Sequence, residues 1–212
     1  MKGSQSIKYH VFVLFLLGFL LPGILFGQRR KESSDGDGFE LNGSLLGALK
    51  FRSIGPAIAS GRISDFAVNP ENPSEYYVGV ASGGLWKTEN NGTTFTPIFD
   101  NQSVFAIGCL AIDHTNPNVV WVGTGENNTQ RNLAYGDGVY KTMDAGKSFK
   151  HMGLKNSGHI GKIMIDPRNS DVVYVCAQGP AWGPGGDRGL YKTTDGGENW
   201  EAILTVGDYT GI

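Results

Sequence analysis

Ser60 to Gly79 reads SGRISDFAVNPENPSEYYVG, Val104 to Gly123 reads VFAIGCLAIDHTNPNVVWVG, and Ser157 to Cys176 reads SGHIGKIMIDPRNSDVVYVC. The three stretches align without a gap, and each runs strand, Asn/Asp/Pro turn, strand. A second shared block follows each one: GLWKTENNGTTF from Gly84 to Phe95, GVYKTMDAGKSF from Gly138 to Phe149, and GLYKTTDGGENW from Gly189 to Trp200. The repeat period is therefore about 50 residues, with four short strands per unit and no helical periodicity. In the first unit the spacing predicts strands over Ile63 to Val68, Tyr76 to Ala81, Leu85 to Thr88 and Thr94 to Ile98. A repeat of that length built from four strands is the blade of a β-propeller. The expected fold is all-β: a partial β-propeller of three four-stranded antiparallel blades.

Each second block has a folding logic of its own. A tight reversal between two strands needs a residue at positive φ, which Gly92, Gly146 and Gly197 supply without steric cost. The side chains of Asn90, Asp144 and Asp195 can accept backbone N–H groups of the same turn, and Thr88, Thr142 and Thr193 can add a hydroxyl bond. Phe95, Phe149 and Trp200 follow the turn and are expected to pack into the sheet. The block fits the Asp-box pattern Ser/Thr-x-Asp-x-Gly-x-x-aromatic, with Asn90 in place of Asp in the first copy.

Composition narrows the remaining choices. The 212 residues are 40% hydrophobic and 18% charged, enough apolar material for a core. A net charge of -2, with Lys and Arg scattered singly, leaves no basic stripe for nucleic acid. Lys2 and Lys8 precede an apolar stretch from Val11 to Phe26, and Gly27 stands before Gln28-Arg29-Arg30-Lys31. This reads as a secretory signal peptide over residues 1–27, with an uncleaved membrane anchor as the alternative. Export to the periplasm, the cell surface or the medium is expected either way, and a membrane contact only through an uncleaved N-terminal segment. A linker over 28–50 then leads to blade 1 with its lead-in (51–107), blade 2 (108–160) and blade 3 (161–212). Cys109 and Cys176 sit at non-equivalent positions of different blades, a poor arrangement for a disulfide.

Several other patterns carry no chemistry. Gly146-Lys147-Ser148 ends like a phosphate-binding loop, but Lys141 stands where such a loop needs glycine. Gly183-Pro184-Gly185-Gly186 has no helix behind it, and Asp35-Gly36-Asp37-Gly38 has no following Glu at the spacing of a calcium loop. His10, His114, His151 and His159 show no metal spacing. Neither a cofactor nor a metal is expected. Glycosylation sequons start at Asn42, Asn91, Asn101 and Asn127.

Length differences between the repeats fall at one end of the blades. Blade 1 needs only four residues between Gly79 and Gly84, whereas blade 2 inserts TGENNTQRNLAYGD (Thr124 to Asp137) and blade 3 inserts AQGPAWGPGGDR (Ala177 to Arg188). Long loops sharing one face of a rigid scaffold are the usual carriers of binding. The candidate ligand-binding residues are Glu126, Arg131, Tyr135, Asp137, Trp182, Asp187 and Arg188, with Arg62 and His159 beside them at the starts of inner strands.

The segments FRSIGPAIASGRISDFAVNP, GVASGGLWKTENNGTTF and YGDGVYKTMDAGKSF resemble the start of large secreted bacterial propeller proteins related to the sortilin N-terminal domain. More distantly they resemble the two-propeller glycosidases that cut xyloglucan. The resemblance covers about residues 46–212. It implies a binding module that grips a peptide or polysaccharide on the loop face, or alternatively the N-terminal fraction of a propeller glycoside hydrolase. In the resembling xyloglucan hydrolases the catalytic pair is split between two propellers, so independent catalysis by these residues is not expected. Thr210-Gly211-Ile212 resembles the entry to a further blade, and the remaining blades are expected to be missing from this chain. Blades 1 and 3 should then each present an uncovered apolar face and promote association.

Overall fold

The computed structural model describes residues 61–128 and 133–212. The expected signal peptide, linker and lead-in, and loop residue Arg131, lie outside the described residues. The chain divides into two units, Met1–Ser53 and Ile54–Ile212, and every described residue belongs to the second.

Three antiparallel sheets make up this unit, each of four strands joined in chain order. The first contains β1 (Ile63–Val68), β2 (Tyr76–Val80), β3 (Gly84–Thr88) and β4 (Thr96–Pro97). The second contains β5 (Ile107–Ile112), β6 (Val120–Thr124), β7 (Val139–Thr142) and β8 (Lys150–Gly153). The third contains β9 (Ile160–Asp166), β10 (Asn169–Ala177), β11 (Gly189–Thr193) and β12 (Glu201–Leu204). There is no helix among the described residues. This is the all-β fold expected, with each sheet a propeller blade. The expected outer strand of blade 1, Thr94 to Ile98, is shorter than its spacing suggested: only Thr96 and Pro97 pair with β3. Pro97 has no N–H to donate, and past it one backbone bond to β3 remains, from Ile98 N to Leu85 O at 3.0 Å.

Equivalent residues close equivalent turns. Between the first two strands of the blades, Asn69, Asp113 and Asp166 each accept the backbone N–H of the residue two ahead (Glu71 at 2.9 Å, Thr115 at 2.8 Å, Arg168 at 2.9 Å). Between the third and fourth strands, Thr88, Thr142 and Thr193 accept the N–H of Gly92, Gly146 and Gly197 at 2.9, 2.9 and 3.0 Å. Asn90, Asp144 and Asp195 accept the N–H four residues on, from Thr94, Ser148 and Asn199. The glycines stand at φ 81°, 90° and 100°, where a Cβ is strained.

The core lies between sheets rather than inside one. Ala67, Tyr77, Leu85 and Phe99 of the first sheet meet Leu110, Ile112, Val120 and Tyr140 of the second. Trp121, Val139 and Met152 on the other side of the second sheet meet Ile163, Val173 and Val175 of the third. Phe149 and Trp200 do not pack within their own sheets alone, because both reach across to the preceding blade. The Phe149 ring lies 4.9 Å from Phe99, and Trp200 Nε1 donates to Met152 O at 2.6 Å. The innermost strands β1, β5 and β9 lie side by side, and each opening stretch carries a register shift. Such bulges at strand starts re-aim the residues that follow.

Candidate functional site

The loops that differ between blades gather at one end, above the starts of β5 and β9. Gly125 N donates to Ala106 O and Gly136 N to Gly158 O, which seats the second blade's long loop against the entries to the inner strands. A Cβ on Gly125 would lie 2.0 Å from Gly158 O, so only glycine permits this approach. Asn127 Nδ2 then donates to Gly108 O (3.0 Å) and Gly161 O (3.1 Å), using carbonyls that the strand irregularities leave free. In the sequence Asn127 stands out only as the start of a sequon. Its amide tying two blades together is visible only in the tertiary structure.

The candidate residues divide by what already holds them. Glu126 is buried and forms an ion pair with half-exposed Arg62, so the two candidates are brought together. Asp137 accepts hydrogen bonds from Ser103 Oγ (2.6 Å) and Tyr140 OH (2.9 Å), while its carbonyl meets His151 Nε2 at 2.7 Å. Asp187 accepts the Asn156 N–H at 2.9 Å. Arg188 points its guanidinium inward and donates to the carbonyls of Gln178, Pro180, Gly183 and Gly185. It is the clamp that folds the third blade's long loop, and those bonds use the donors that a ligand would need.

Two aromatic groups differ from these. Tyr135 is half-exposed and its ring lies 4.8 Å from the buried imidazole of His159, tilted at 41° to it. Neither His159 nitrogen has a hydrogen-bond partner among the described residues. Burial, assisted by the Arg188 charge, holds the His159 pKa below its ordinary value, so the ring is neutral. Trp182, in contrast, is 74% exposed at the tip of the third blade's loop. Among the described residues, no group of three or more His, Cys, Asp or Glu side chains converges as a metal site would require.

No model of a known protein family matches the chain. A probable oligoxyloglucan-reducing end-specific xyloglucanase from Neosartorya fischeri is 27% identical over 158 residues, covering 65% of this chain and 17% of that protein. The crystal structure of an ancestral GH74 enzyme aligns with a TM-score of 0.54 at 23% identity, over 69% of this chain and 19% of that one. The GH74 enzyme of Niastella koreensis aligns with a TM-score of 0.50 at 24% identity, over 65% of this chain and 20% of that one. The structural likenesses show the fold, three blades of a propeller. The chain spans a fifth or less of the length of each of these proteins.

Proposed function

We propose that this chain is the N-terminal fraction of a propeller glycoside hydrolase and that its loop face binds polysaccharide. Trp182 carries the reading: a large indole, 74% exposed, projects from the loop face of a fold that a xyloglucanase relative shares. A sugar ring presents an apolar face of C–H groups, and a broad, rigid aromatic is the side chain suited to stack on it. The described residues supply binding rather than a complete catalytic pair. Glycoside hydrolysis needs two carboxylates about 5 to 9.5 Å apart across the scissile bond. The carboxylates described on the elaborated loops, Glu126, Asp137 and Asp187, are all engaged by protein donors. The receptor-like reading, with a sortilin-type peptide ligand, rests on the sequence resemblance alone.

The test is a calorimetric titration of the chain with xyloglucan oligosaccharides, repeated for Trp182→Ala. Saturable binding is expected for the wild type, weakened at least about tenfold in the variant, equivalent to ~1.4 kcal/mol. The melting temperature should not move, since the side chain is exposed. Absence of xyloglucan binding, or binding indifferent to the substitution, would overturn the proposal. Saturable binding of extended peptides in its place would favour the receptor-like reading.

A further inference from the structure

Both elaborated loops rest on one short stretch, residues 156–159, which leads into β9. From the second blade, Gly136 N donates to Gly158 O at 2.8 Å, and a Cβ on Gly125 would lie 2.8 Å from the His159 Cα. From the third blade, Asp187 N donates to Asn156 O (3.3 Å), the Asp187 carboxylate accepts the Asn156 N–H (2.9 Å), and Gly179 N donates to Ser157 Oγ (3.4 Å). Ser157 Oγ and Gln178 N both donate to the His159 carbonyl, at 2.7 and 2.9 Å, which fixes the backbone that carries the ring. The stretch is a seat with a loop on each side.

Inside this seat the His159 side chain is 1% exposed, with the Tyr135 ring beside it and both ring nitrogens without a partner among the described residues. A neutral imidazole there leaves one donor and one acceptor unmatched. An imidazolium would leave two unmatched donors and a buried charge, which costs far more. No anion offsets that charge. Glu126 is paired with Arg62, Asp137 is held by Ser103 and Tyr140, and Asp187 is turned to the Asn156 N–H. Tyr135 brings a phenol ring rather than a carboxylate, and residues 51–60 and 129–132 contain no acid. Of the described charges, that of Arg188 acts on the ring, and it opposes a second cation.

We infer that His159 is a pH-sensitive latch on the loop face: the neutral ring lets residues 133–137 of the second blade sit on the entry to β9, and protonation unseats them. To keep a proton the ring must meet water, and Tyr135 is the side chain whose ring lies against it. The limb that carries Tyr135 therefore lifts, and the bond from Gly136 N to Gly158 O goes with it. Burial first, then the Arg188 charge, holds the His159 pKa below its ordinary value. A group depressed in this way favours the seated form fully above its unfolded value of about 6.5. That advantage is lost as pH falls below 6.5, by at most about tenfold per pH unit for one proton. The latch acts on the loop face whatever ligand that face holds, so it stands apart from the polysaccharide reading.

Hydrogen exchange of the full chain at pH 7 and pH 5, corrected for the intrinsic pH dependence of amide exchange, reads the seat through the Gly136 amide. Its exchange should speed at least about tenfold at pH 5. The Gly146 amide, held by Thr142 in a turn remote from the seat, should show no such change. His159→Leu, which keeps most of the bulk, and His159→Asn should each abolish the response. Imidazole proton resonances of the wild type give a reading that needs no variant. His159 should titrate at lower pH in the folded chain than in the chain unfolded by urea, and Tyr135→Ala, which uncovers the ring, should narrow that difference. A Gly136 amide equally protected at both pH values, an acid response that persists without the imidazole, or a His159 midpoint unmoved by folding would each overturn the inference.

Discussion

The Asp144 turn shows how single residues are committed to the fold. Its Oδ1 accepts the Ser148 N–H (2.9 Å) and the Thr142 hydroxyl (2.8 Å), and its Oδ2 accepts the Ser148 hydroxyl (2.6 Å). The Ser148 bonds come first among the causes that hold the Asp144 pKa down at about 2, below the ordinary 3.8. Asp195 is depressed in the same way, led by its Thr193 bond. A carboxylate with a folded-state pKa below its unfolded value contributes stability that is fully present above the unfolded value. That contribution is lost as pH falls toward the folded value. Thermal melts of the wild type should therefore lose stability between about pH 4 and about pH 2. Asp144→Ala should be less stable than the wild type at pH 6 and should show a shallower loss across that window. Parallel pH profiles for the two proteins would remove the turn from the account. Thr, Asp and Gly at fixed spacing already announced this turn in the sequence, since all its bonds are made within a few residues.

At the scale of elements, the second sheet matters most because it is packed on both faces. Alternation along β6 sends Val120 and Val122 toward the first sheet and Trp121 toward the third. Trp121 is fully buried, meets Trp200 edge-on at 6.1 Å and carries Lys141 over its ring. Truncating such a side chain removes burial and leaves a cavity, so Trp121→Ala should cost about 3 to 5 kcal/mol in chemical denaturation. Trp121→Phe should cost much less, because the indole Nε1 it removes has no hydrogen-bond partner. Equal losses for the two would mean that the junction between these blades depends on more than volume. The alternation was legible in the sequence. The reach of Phe149 and Trp200 across to the preceding blade was not, because a period-2 pattern says which residues share a face but not what that face meets.

For the whole molecule, the two thiols report whether the blades separate. Both are free; Cys109 is sealed in the core between the second and third sheets, while Cys176 is half-buried. Burial, with the Asp65 charge adding to it, pushes the Cys109 thiol up to about 12, and burial raises Cys176 as well. A thiol-specific reagent at neutral pH should therefore modify Cys176 well before Cys109. Cys109 should react only as denaturant opens the junction, at the rate of global unfolding. Early modification of Cys109 in native buffer would show that the third blade detaches on its own.

Repeat period, blade topology and turn chemistry were settled by the sequence alone, because each depends on contacts between residues near one another in the chain. What holds the binding candidates is visible only in the tertiary fold. Arg188, Asp137 and Glu126 are ordinary loop charges in sequence, yet carbonyls, hydroxyls and an arginine brought in from other segments consume them. Trp182 keeps its exposure because no described residue packs back over it, a fact no local pattern encodes. Side-chain type and spacing fix what a residue can bond to. Which partner arrives first, another loop or a ligand, depends on distances that exist only once the blades have packed.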